Sequence, residues 1–413
     1  MTQRFCRYVN KVFHLPKHLT LIKDSRKRPV LPSAAIWMSA FFMFTFRMRS
    51  LNAADCQLRL SGYLPKLVSL DKPSADTMGR VFDLMESEPI RDILSKINHT
   101  LKRNKALRNP RGGLRFAAVD GHELFRSRSR CCEGCCIRHL TVNDKEVIEY
   151  YHRVVACHLI GFKIPIPLDI EPILPGENEV AAAKRLIERV LVRYARFFDV
   201  IVADALYLES SFINFCLEHK KHLISVLKEN CPCLLEDAMD LFKKIPARSY
   251  KEGETAIQLW DEEGFGTLEK AKAPLRIVHT HEDEIVRKRV AGQWIQRKQA
   301  HDRWWATTLP KSELSAEVVR WAARSRWDIE NDLFNTLVTH WSMNHCFKHA
   351  SNAITNFLLT LLVAFVLVQS FYHLNLKSPI SGKFTLIAIT SLFLMGLASE
   401  TFSLSWLESL PGP

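Results

Sequence analysis

The chain has 413 residues, 47% of them hydrophobic, and a formal net charge of +13. This length allows two or three domains with a sizeable core, and the excess of basic residues favours a polyanionic partner, nucleic acid first and a membrane surface second. The length and the odd number of cysteines, eleven, argue against a small secreted disulfide scaffold and favour a reducing cytoplasm.

The N-terminal third is predicted to be a tail followed by helices. Residues 1–33 are basic and irregular, which predicts either a solvated tail or an arm lying on DNA phosphates. The apolar run 34–46 predicts a buried helix and not a signal peptide, because Arg47 and Arg49 follow it directly. Between residues 73 and 105 apolar residues return at helical spacing, after Ser74 and Asp76, which suit a helix N-terminus.

Two short apolar runs each lead into an aspartate. Residues 114–119 (LRFAAV) precede Asp120, and residues 200–203 (VIVA) precede Asp204. Such runs predict buried strands whose C-terminal ends present a carboxylate, at the edge where open α/β sheets bind ligands.

A cysteine-rich run, CCEGCC, occupies residues 131–136. The spacings Cys131–Cys135 and Cys132–Cys136 could supply half of a zinc site, completed by His139 or by a Cys231/Cys233 pair. The alternative is a loop or strand turn with free thiols.

The remaining pattern up to residue 228 alternates between strands and helices. Residues 147–160 predict a second strand, and residues 163–174, with three prolines, an edge or irregular third strand. A helix over 177–198 leads into the Asp204 strand. A helix over 208–218 and a strand over 222–227 follow.

Residues 229–310 are predicted to be a mainly β insertion, with strand-like pieces at 255–260, 275–281 and 303–309. Within it, residues 287–305 interleave basic residues and tryptophans, which could hold phosphates and stack on bases. The alternative is that the tryptophans belong to a core. The candidate DNA contacts are Arg287, Lys288, Arg289, Trp294, Arg297, Lys298 and Trp304.

The stretch 320–347 contains no Pro or Gly and has an apolar stripe that predicts one amphipathic helix. Arg326 and Glu330 would lie one turn apart on it, as a structural ion pair or as part of a site. Together with Asp120 and Asp204, Glu330 could hold two divalent cations about 3.5–4 Å apart, and carboxylate oxygens are what Mg²⁺ requires.

Two apolar runs, 357–372 and 384–397, follow. Both are shorter than the ~20 residues needed to span a bilayer. They predict buried helices that pack on the core.

Several motifs, in this order, carry a family resemblance. VDGHELF contains Asp120, VADALY contains Asp204 and RWDIENDLFNTL contains Glu330, and PSADTMGRVFDL, RNKAL and YYHRVV add flanking similarity over residues 50–350. The chain resembles the DDE transposases of bacterial insertion sequences, in particular the group whose third carboxylate sits in an Arg-x-x-x-Glu helix.

The resemblance implies an α/β protein with an RNase H-like (retroviral-integrase-like) catalytic core. The implied domains are a basic tail (1–33), a helical N-terminal region that binds the element ends (34–110), the core (111–228 and 311–350), a β-rich insertion (229–310) and C-terminal apolar helices on the core (351–413).

The implied chemistry is cleavage of double-stranded DNA at the element ends, followed by attack of the freed 3′-hydroxyl on target DNA. Asp120, Asp204 and Glu330 would hold two Mg²⁺ or Mn²⁺ ions, and Arg326 would orient Glu330 or contact a phosphate. In some relatives an insertion tryptophan receives a flipped base. The resemblance also implies a homodimer in a synaptic complex, in the bacterial cytoplasm and on the nucleoid when bound to DNA, without a membrane.

The chain departs from the family pattern at two positions. The broader family has a Tyr three residues before the Arg and a Lys about two turns after the Glu, where this chain has Ala323 and Leu337 or Val338. These departures motivate an alternative function, a catalytically inactive transposase that acts as a DNA-binding protein. The C-terminal apolar runs motivate another, an integral membrane protein.

Overall fold

The computed structural model describes residues 1–62, 64–68, 71–108, 113–290, 293–377, 380 and 382–397. Helices and strands are both abundant in these residues, so the predicted α/β class is confirmed. The chain divides into two compact units. The first comprises Met1–Arg108, Gly121–Ala195 and Ile329–Pro413, and the second comprises Asn109–Asp120 and Arg196–Asp328. The predicted boundary at 110/111 and residues 398–413 lie outside the described residues.

The first unit begins with a run of helices. They are α1 (Thr2–Phe13), α2 (Leu15–His18), a 3₁₀ turn (Leu19–Leu21), α3 (Ser33–Thr45), α4 (Leu51–Leu60), α5 (Leu64–Leu67), α6 (Ala75–Leu84) and α7 (Ser87–Arg103).

The prediction of an irregular, solvated tail over residues 1–33 is wrong for its first part. Helix α1 buries Phe5, Tyr8, Val9 and Phe13, which share one side of the helix, and the ring of Phe5 meets that of Phe371 edge to face at 5.5 Å. The basic residues interspersed with these apolar positions raise the local charge without disturbing the buried stripe.

The predicted buried helix at 34–46 is confirmed as α3, whose residues from Ala35 to Thr45 are all buried. The helical pattern over 73–105 forms two helices, because the chain becomes extended at Met85, which forms a β-bridge with Asp24. Ser74 caps α6, since its Oγ accepts a hydrogen bond from the N–H of Thr77 at 3.2 Å.

Four strands belong wholly or partly to the first unit. They are β1 (Phe116–Ser127), which enters this unit at Gly121, β2 (Cys136–Val142), β3 (Lys145–Leu159) and β4 (Ile166–Ile173). The long strand β3 pairs antiparallel with β2 through its first half and with β4 through its second half. Sequence reasoning did not predict β2, because the cysteine run at its start was interpreted either as half of a zinc site or as a loop or strand turn. Helix α8 (Glu179–Tyr194) packs on β3 and β4.

A long helix at the centre of the first unit, α13 (Ser351–Ser370), packs against α3, α6, α7 and β4. It continues as a π-helix (Phe371–Asn375), and α14 (Leu386–Gly396) follows. The helical stretch Ser351–Asn375 has 25 residues, and by length and mean hydropathy it could cross a membrane, but its most apolar window is entirely buried.

The run 357–372 was expected to be too short to span a bilayer, whereas the helical stretch that contains it is long enough. The helix starts earlier than the run because polar residues form its first turns. Asn352 Nδ2 donates to the carbonyl of Asp83 at 2.6 Å, and Asn356 Nδ2 donates to the carbonyls of Phe82 and Met85 at 2.8 Å. These bonds satisfy the amide of Asn356, which is buried in the core, and attach the exposed Asn352 to the end of α6.

The second unit contains the start of β1 and six further strands in the order β1-β5-β6-β10-β9-β8-β7. Strands β1, β5 and β6 are parallel neighbours, and the others pair antiparallel. The elements are β5 (Val200–Ala203), α9 (Ser210–Glu218), β6 (His222–Val226), α10 (Pro232–Phe242), β7 (Arg248–Glu252), β8 (Thr255–Phe265), β9 (Leu275–Val290), β10 (Gln293–Thr307) and α11 (Ala316–Ser325).

The predicted strands at 255–260 and 275–281 are confirmed as parts of longer strands, and the one predicted at 303–309 is the end of β10, which stops at Thr307. Strand β10 pairs with β6 from Trp305↔Val226 to Thr307↔Ile224, so the end of the predicted insertion is hydrogen-bonded into the sheet. Helix α10 was not predicted.

The single amphipathic helix predicted over 320–347 is wrong. Helix α11 ends at Ser325, and a π-helix covers Ile329–Phe334. Helix α12 (Asn335–Trp341) is followed by Ser342, which has a left-handed backbone. In a π-helix residues five apart face the same side, and this places both Ile329 and Phe334 in the core.

Candidate functional site

Asp120 and Asp204 occupy equivalent positions on two neighbouring parallel strands. The register of β1 and β5 runs from Phe116↔Val200 to Ala118↔Val202, and each aspartate lies two residues beyond the last pair. Asp204 directly follows the end of β5, as predicted. The prediction that the first strand ends at Asp120 is wrong, because β1 continues to Ser127.

Local contacts explain why the chain turns at Asp204. Its Oδ1 accepts a hydrogen bond from the N–H of Leu206 at 2.9 Å, which starts a 3₁₀ turn, and its carbonyl accepts one from Ser225 Oγ at 2.6 Å. The preceding residues Val200–Ala203 are all buried. The buried strand and the capped turn therefore hold the carboxylate half-buried at the strand end.

Arg326 forms an ion pair with Asp120. Its Nη1 lies 2.6 Å from Asp120 Oδ2, and the two side chains are 10% and 18% exposed. The guanidinium also lies 5.0 Å from the ring centroid of Trp327. Sequence reasoning considered Glu330 as the ion-pair partner, whereas the hydrogen bond in the structure goes to the first aspartate.

Glu330 is half-buried on the π-helix of the first unit, in the surroundings of His122. His122 Nε2 lies 3.0 Å from Asn344 Oδ1, and its ring stacks on Phe334 at 4.7 Å. Burial lowers the pKa of His122, although the hydrogen bond to Asn344 and the charges of Glu123 and Glu330 oppose that shift. Sequence reasoning missed His122, and its only signal was its place two residues after Asp120.

The structure thus brings Asp120, Asp204 and Arg326 into one unit and places Glu330 in the other. The convergence of the third carboxylate with the two aspartates stays a prediction.

A cleft of about 450 Å³ lies in the second unit beside Arg326. Basic and aromatic side chains line it, together with the acids Glu229 and Asp302. Ala323, which stands where the broader family has a tyrosine, is among the residues that line it. The lining side chains that matter here are Lys228, Arg303, Arg324, Arg326, Trp304 and Trp327.

The β9–β10 hairpin extends beyond the rest of its sheet. Pairing between β8 and β9 stops at Ala256↔Asp283, so residues 284–290 and 293–299 form a two-stranded ribbon. The segment 284–299 contains five Lys or Arg residues and one Glu. Trp294, opposite Arg289 in the register, is 71% exposed. The side chains of Arg287 and Lys288 lie outside the described residues.

The tryptophans of residues 287–305 differ in burial. Trp305 is buried in the core, and Trp294 is exposed. Trp304 is half-buried in a stack of rings, 3.7 Å from His279 and 5.7 Å from Phe242.

The cysteine pairings predicted from spacing are wrong. Cys132 and Cys135 approach each other, and they lie beside His152 and His349. His139 is exposed and pairs with Glu146 at 2.7 Å, and Cys231 and Cys233 belong to the other unit.

The chain matches a protein-family model. The family described as transposase DDE domain matches residues 147–367, which is more than half of the chain and includes Asp204, Arg326 and Glu330. Asp120 lies upstream of the matched region. The comparison with curated proteins gave no match. Members of this family are DNA transposases that generally use divalent metal ions. The chain belongs to the transposase DDE domain family, as its sequence predicted.

Proposed function

We propose that this protein is the transposase of an insertion sequence, which binds the element ends, cleaves the DNA and joins it to target DNA by metal-dependent phosphoryl transfer. The observation that carries the proposal is the placement of Asp120 and Asp204 on neighbouring parallel strands, with Arg326 bound to Asp120. The family match supports the same reaction class.

The proposed catalytic core is RNase H-like. The order β4-β3-β1 in the first unit and the parallel order β1-β5-β6 in the second unit support this assignment. The same topology gives a physical reason for the site, since parallel strands present their carboxyl ends at one edge of a sheet.

Asp120, Asp204 and Glu330 would hold the metal. All three offer carboxylate oxygens, the donors that suit hard cations such as Mg²⁺ or Mn²⁺, and two such ions fit a set of three acids. When bound, the ions would activate a water or hydroxyl nucleophile and stabilise the leaving oxygen at phosphorus.

The chain's own groups prepare the acids for that role. Two carboxylates on neighbouring strands repel each other, and the positive charge of Arg326 on Asp120 offsets this repulsion. The N–H of Leu206 fixes one oxygen of Asp204. We propose that Arg326 holds Asp120 in place and contacts a DNA phosphate when the substrate binds.

DNA would be held by the ribbon and the cleft. The basic residues of segment 284–299 would neutralise backbone phosphates, and Trp294 offers an exposed face for a base. The cleft beside Arg326 would receive a base or phosphate near the cut site. We also propose a homodimer on paired element ends, acting in the cytoplasm on nucleoid DNA.

Replacing Trp294 by alanine should weaken binding to the element ends by about 5–150-fold, because base–aromatic stacking contributes about 1–3 kcal/mol. The measurement is a fluorescence anisotropy titration of labelled end DNA. Trp294→Tyr is the matched control and should recover most of the affinity, since it restores a stacking ring. If the alanine variant and the wild type bind the DNA with equal affinity, Trp294 does not contribute to DNA binding.

The proposed function is tested on DNA that carries the element's own ends, with and without Mg²⁺ or Mn²⁺. We expect cleavage at the ends that requires the cation. A shift of the DNA in a binding assay without cleavage in either metal would identify an inactive DNA-binding protein instead. Absence of both binding and cleavage would reject the proposal.

A further inference from the structure

Four side chains from three separate chain segments meet in the first unit. Cys132 and Cys135 lie in the loop between β1 and β2, His152 lies on β3, and His349 lies in the segment that leads into α13. One donor atom of each lies within 4.8 Å of the donor atoms of the other three.

The distances match the edges of a metal-centred tetrahedron. Cys132 Sγ and Cys135 Sγ are 3.8 Å apart, and His152 Nε2 lies 3.4 Å and 3.3 Å from these two sulfurs. His349 Nε2 lies 3.2 Å from Cys135 Sγ. Zn–S bonds of about 2.3 Å and Zn–N bonds of about 2.0–2.1 Å place tetrahedral sulfurs about 3.8 Å apart, and sulfur and nitrogen about 3.5 Å apart.

The backbone of the loop directs both thiols to the same point. The N–H of Cys135 donates to the carbonyl of Cys132 at 3.1 Å, and the N–H of Cys132 donates to Cys135 Sγ at 3.2 Å. Gly134 lies between them, where a Cβ atom would overlap Ser351 Oγ. A larger residue at this position would force the Ser351 side chain to move, so glycine lets the turn lie directly against the start of α13.

The surroundings favour a closed structural site. Cys135 and His152 are 4% and 6% exposed, and the ring of Phe125 lies 5.3 Å from that of His152 and 5.6 Å from that of His349. The group contains no carboxylate, and thiolate with imidazole selects zinc over Mg²⁺. Four protein ligands fill a tetrahedron and leave no position for a substrate.

We propose that Cys132, Cys135, His152 and His349 bind one structural Zn²⁺ ion. The ion would fasten the β1–β2 loop and β3 to the start of α13, and so connect ligands that are 214 residues apart in the sequence. Binding releases protons as the two thiols become thiolates. The site lies within the first unit and uses none of the proposed catalytic residues, so it does not depend on the proposed function.

The first test uses the full-length wild-type protein. We expect about one equivalent of zinc per chain by elemental analysis after purification without added metal. Replacement by Co²⁺ should give the intense visible bands of a tetrahedral site and the near-ultraviolet charge-transfer band of cobalt–thiolate bonds. A chain without zinc that also fails to develop these bands with Co²⁺ would overturn the proposal, whatever the variants do.

The second test uses variants within the same cysteine run. Cys135→Ser and His349→Ala should reduce bound zinc to less than about one tenth of an equivalent. Cys131→Ser and Cys136→Ser, the neighbours outside the group, should retain it. If Cys131→Ser loses zinc and Cys135→Ser retains it, the ligand assignment is wrong. Circular dichroism checks that each variant is folded. The cobalt spectrum of the wild type tests the site even if a variant fails to fold.

Discussion

Replacing Asp120 or Asp204 by asparagine, or Glu330 by glutamine, should lower the rate of DNA-end cleavage by about 10³-fold or more. Each change keeps the size of the side chain and removes the charge that would bind the cation. Metal ions supply several kcal/mol of transition-state stabilisation, and each 1.4 kcal/mol is about tenfold in rate. The measurement is single-turnover cleavage of labelled end DNA with Mg²⁺.

Binding to the ends should change little in the same variants, because the acids would contact the metal and not the bases. Loss of a negative charge near phosphates should, if anything, strengthen binding. Asp332→Asn is a matched control, because Asp332 lies on the same π-helix as Glu330 and its side chain is exposed. It should cleave at the wild-type rate. A folded Asp120, Asp204 or Glu330 variant that cleaves normally would remove that residue from the site.

The positions of the two aspartates could be predicted because strong local patterns mark them. The residues of β1 that precede Asp120 and the whole of β5 are buried apolar runs, and a polar residue that directly follows such a run is expected at the edge of the sheet. Their common register could not be predicted, since it depends on the pairing of strands that lie 84 residues apart in the sequence.

The sites that sequence reasoning missed or misplaced depend on long-range contacts. The bond from Arg326 to Asp120 joins residues 206 positions apart, and the contact of Cys135 with His349 joins residues 214 apart. Spacing within a short motif pairs only neighbours, so it favoured Glu330 for the arginine and the wrong cysteine pairs for zinc. The basic composition of residues 1–33 also led to a wrong prediction at α1, because the apolar residues between the basic ones form a buried stripe.

The second large effect that we expect is a loss of stability, because the second unit contains a buried ion-pair network. Glu282 on β9 is 1% exposed, and Arg320 Nε donates to its Oε1 at 2.7 Å. Arg324 Nη1 donates to Oε2, and Thr280 Oγ1 donates to Oε1 at 3.0 Å. Arg320 is itself 5% exposed. Arg320 Nη1 also donates to the exposed carboxylate of Glu252 at 2.5 Å, whereas Glu282 is a buried counter-charge that Arg320 and Arg324 share.

Replacing Glu282 by glutamine should lower the free energy of unfolding by about 3–5 kcal/mol at neutral pH, because it leaves Arg320 buried with its main counter-charge removed. Urea unfolding followed by tryptophan fluorescence measures the change, and six of the nine tryptophans belong to the second unit. Asp283→Asn, at the exposed neighbouring position, is the control and should stay within about 0.5 kcal/mol of the wild type.

The pH dependence of stability should distinguish this ion pair from a simple packing effect. Burial alone would raise the pKa of Glu282, but the hydrogen bond from Arg320 and the charges of Arg320 and Arg324 outweigh it and lower the pKa below the ordinary 4.5. A carboxyl group whose pKa is lower in the folded state contributes its full stability above its unfolded pKa and loses it as the pH falls through the folded value. The difference between wild type and Glu282→Gln should therefore be constant near neutral pH and shrink below pH 4.5. A difference that stays constant into acid would show that the carboxylate charge at this position does not stabilise the fold.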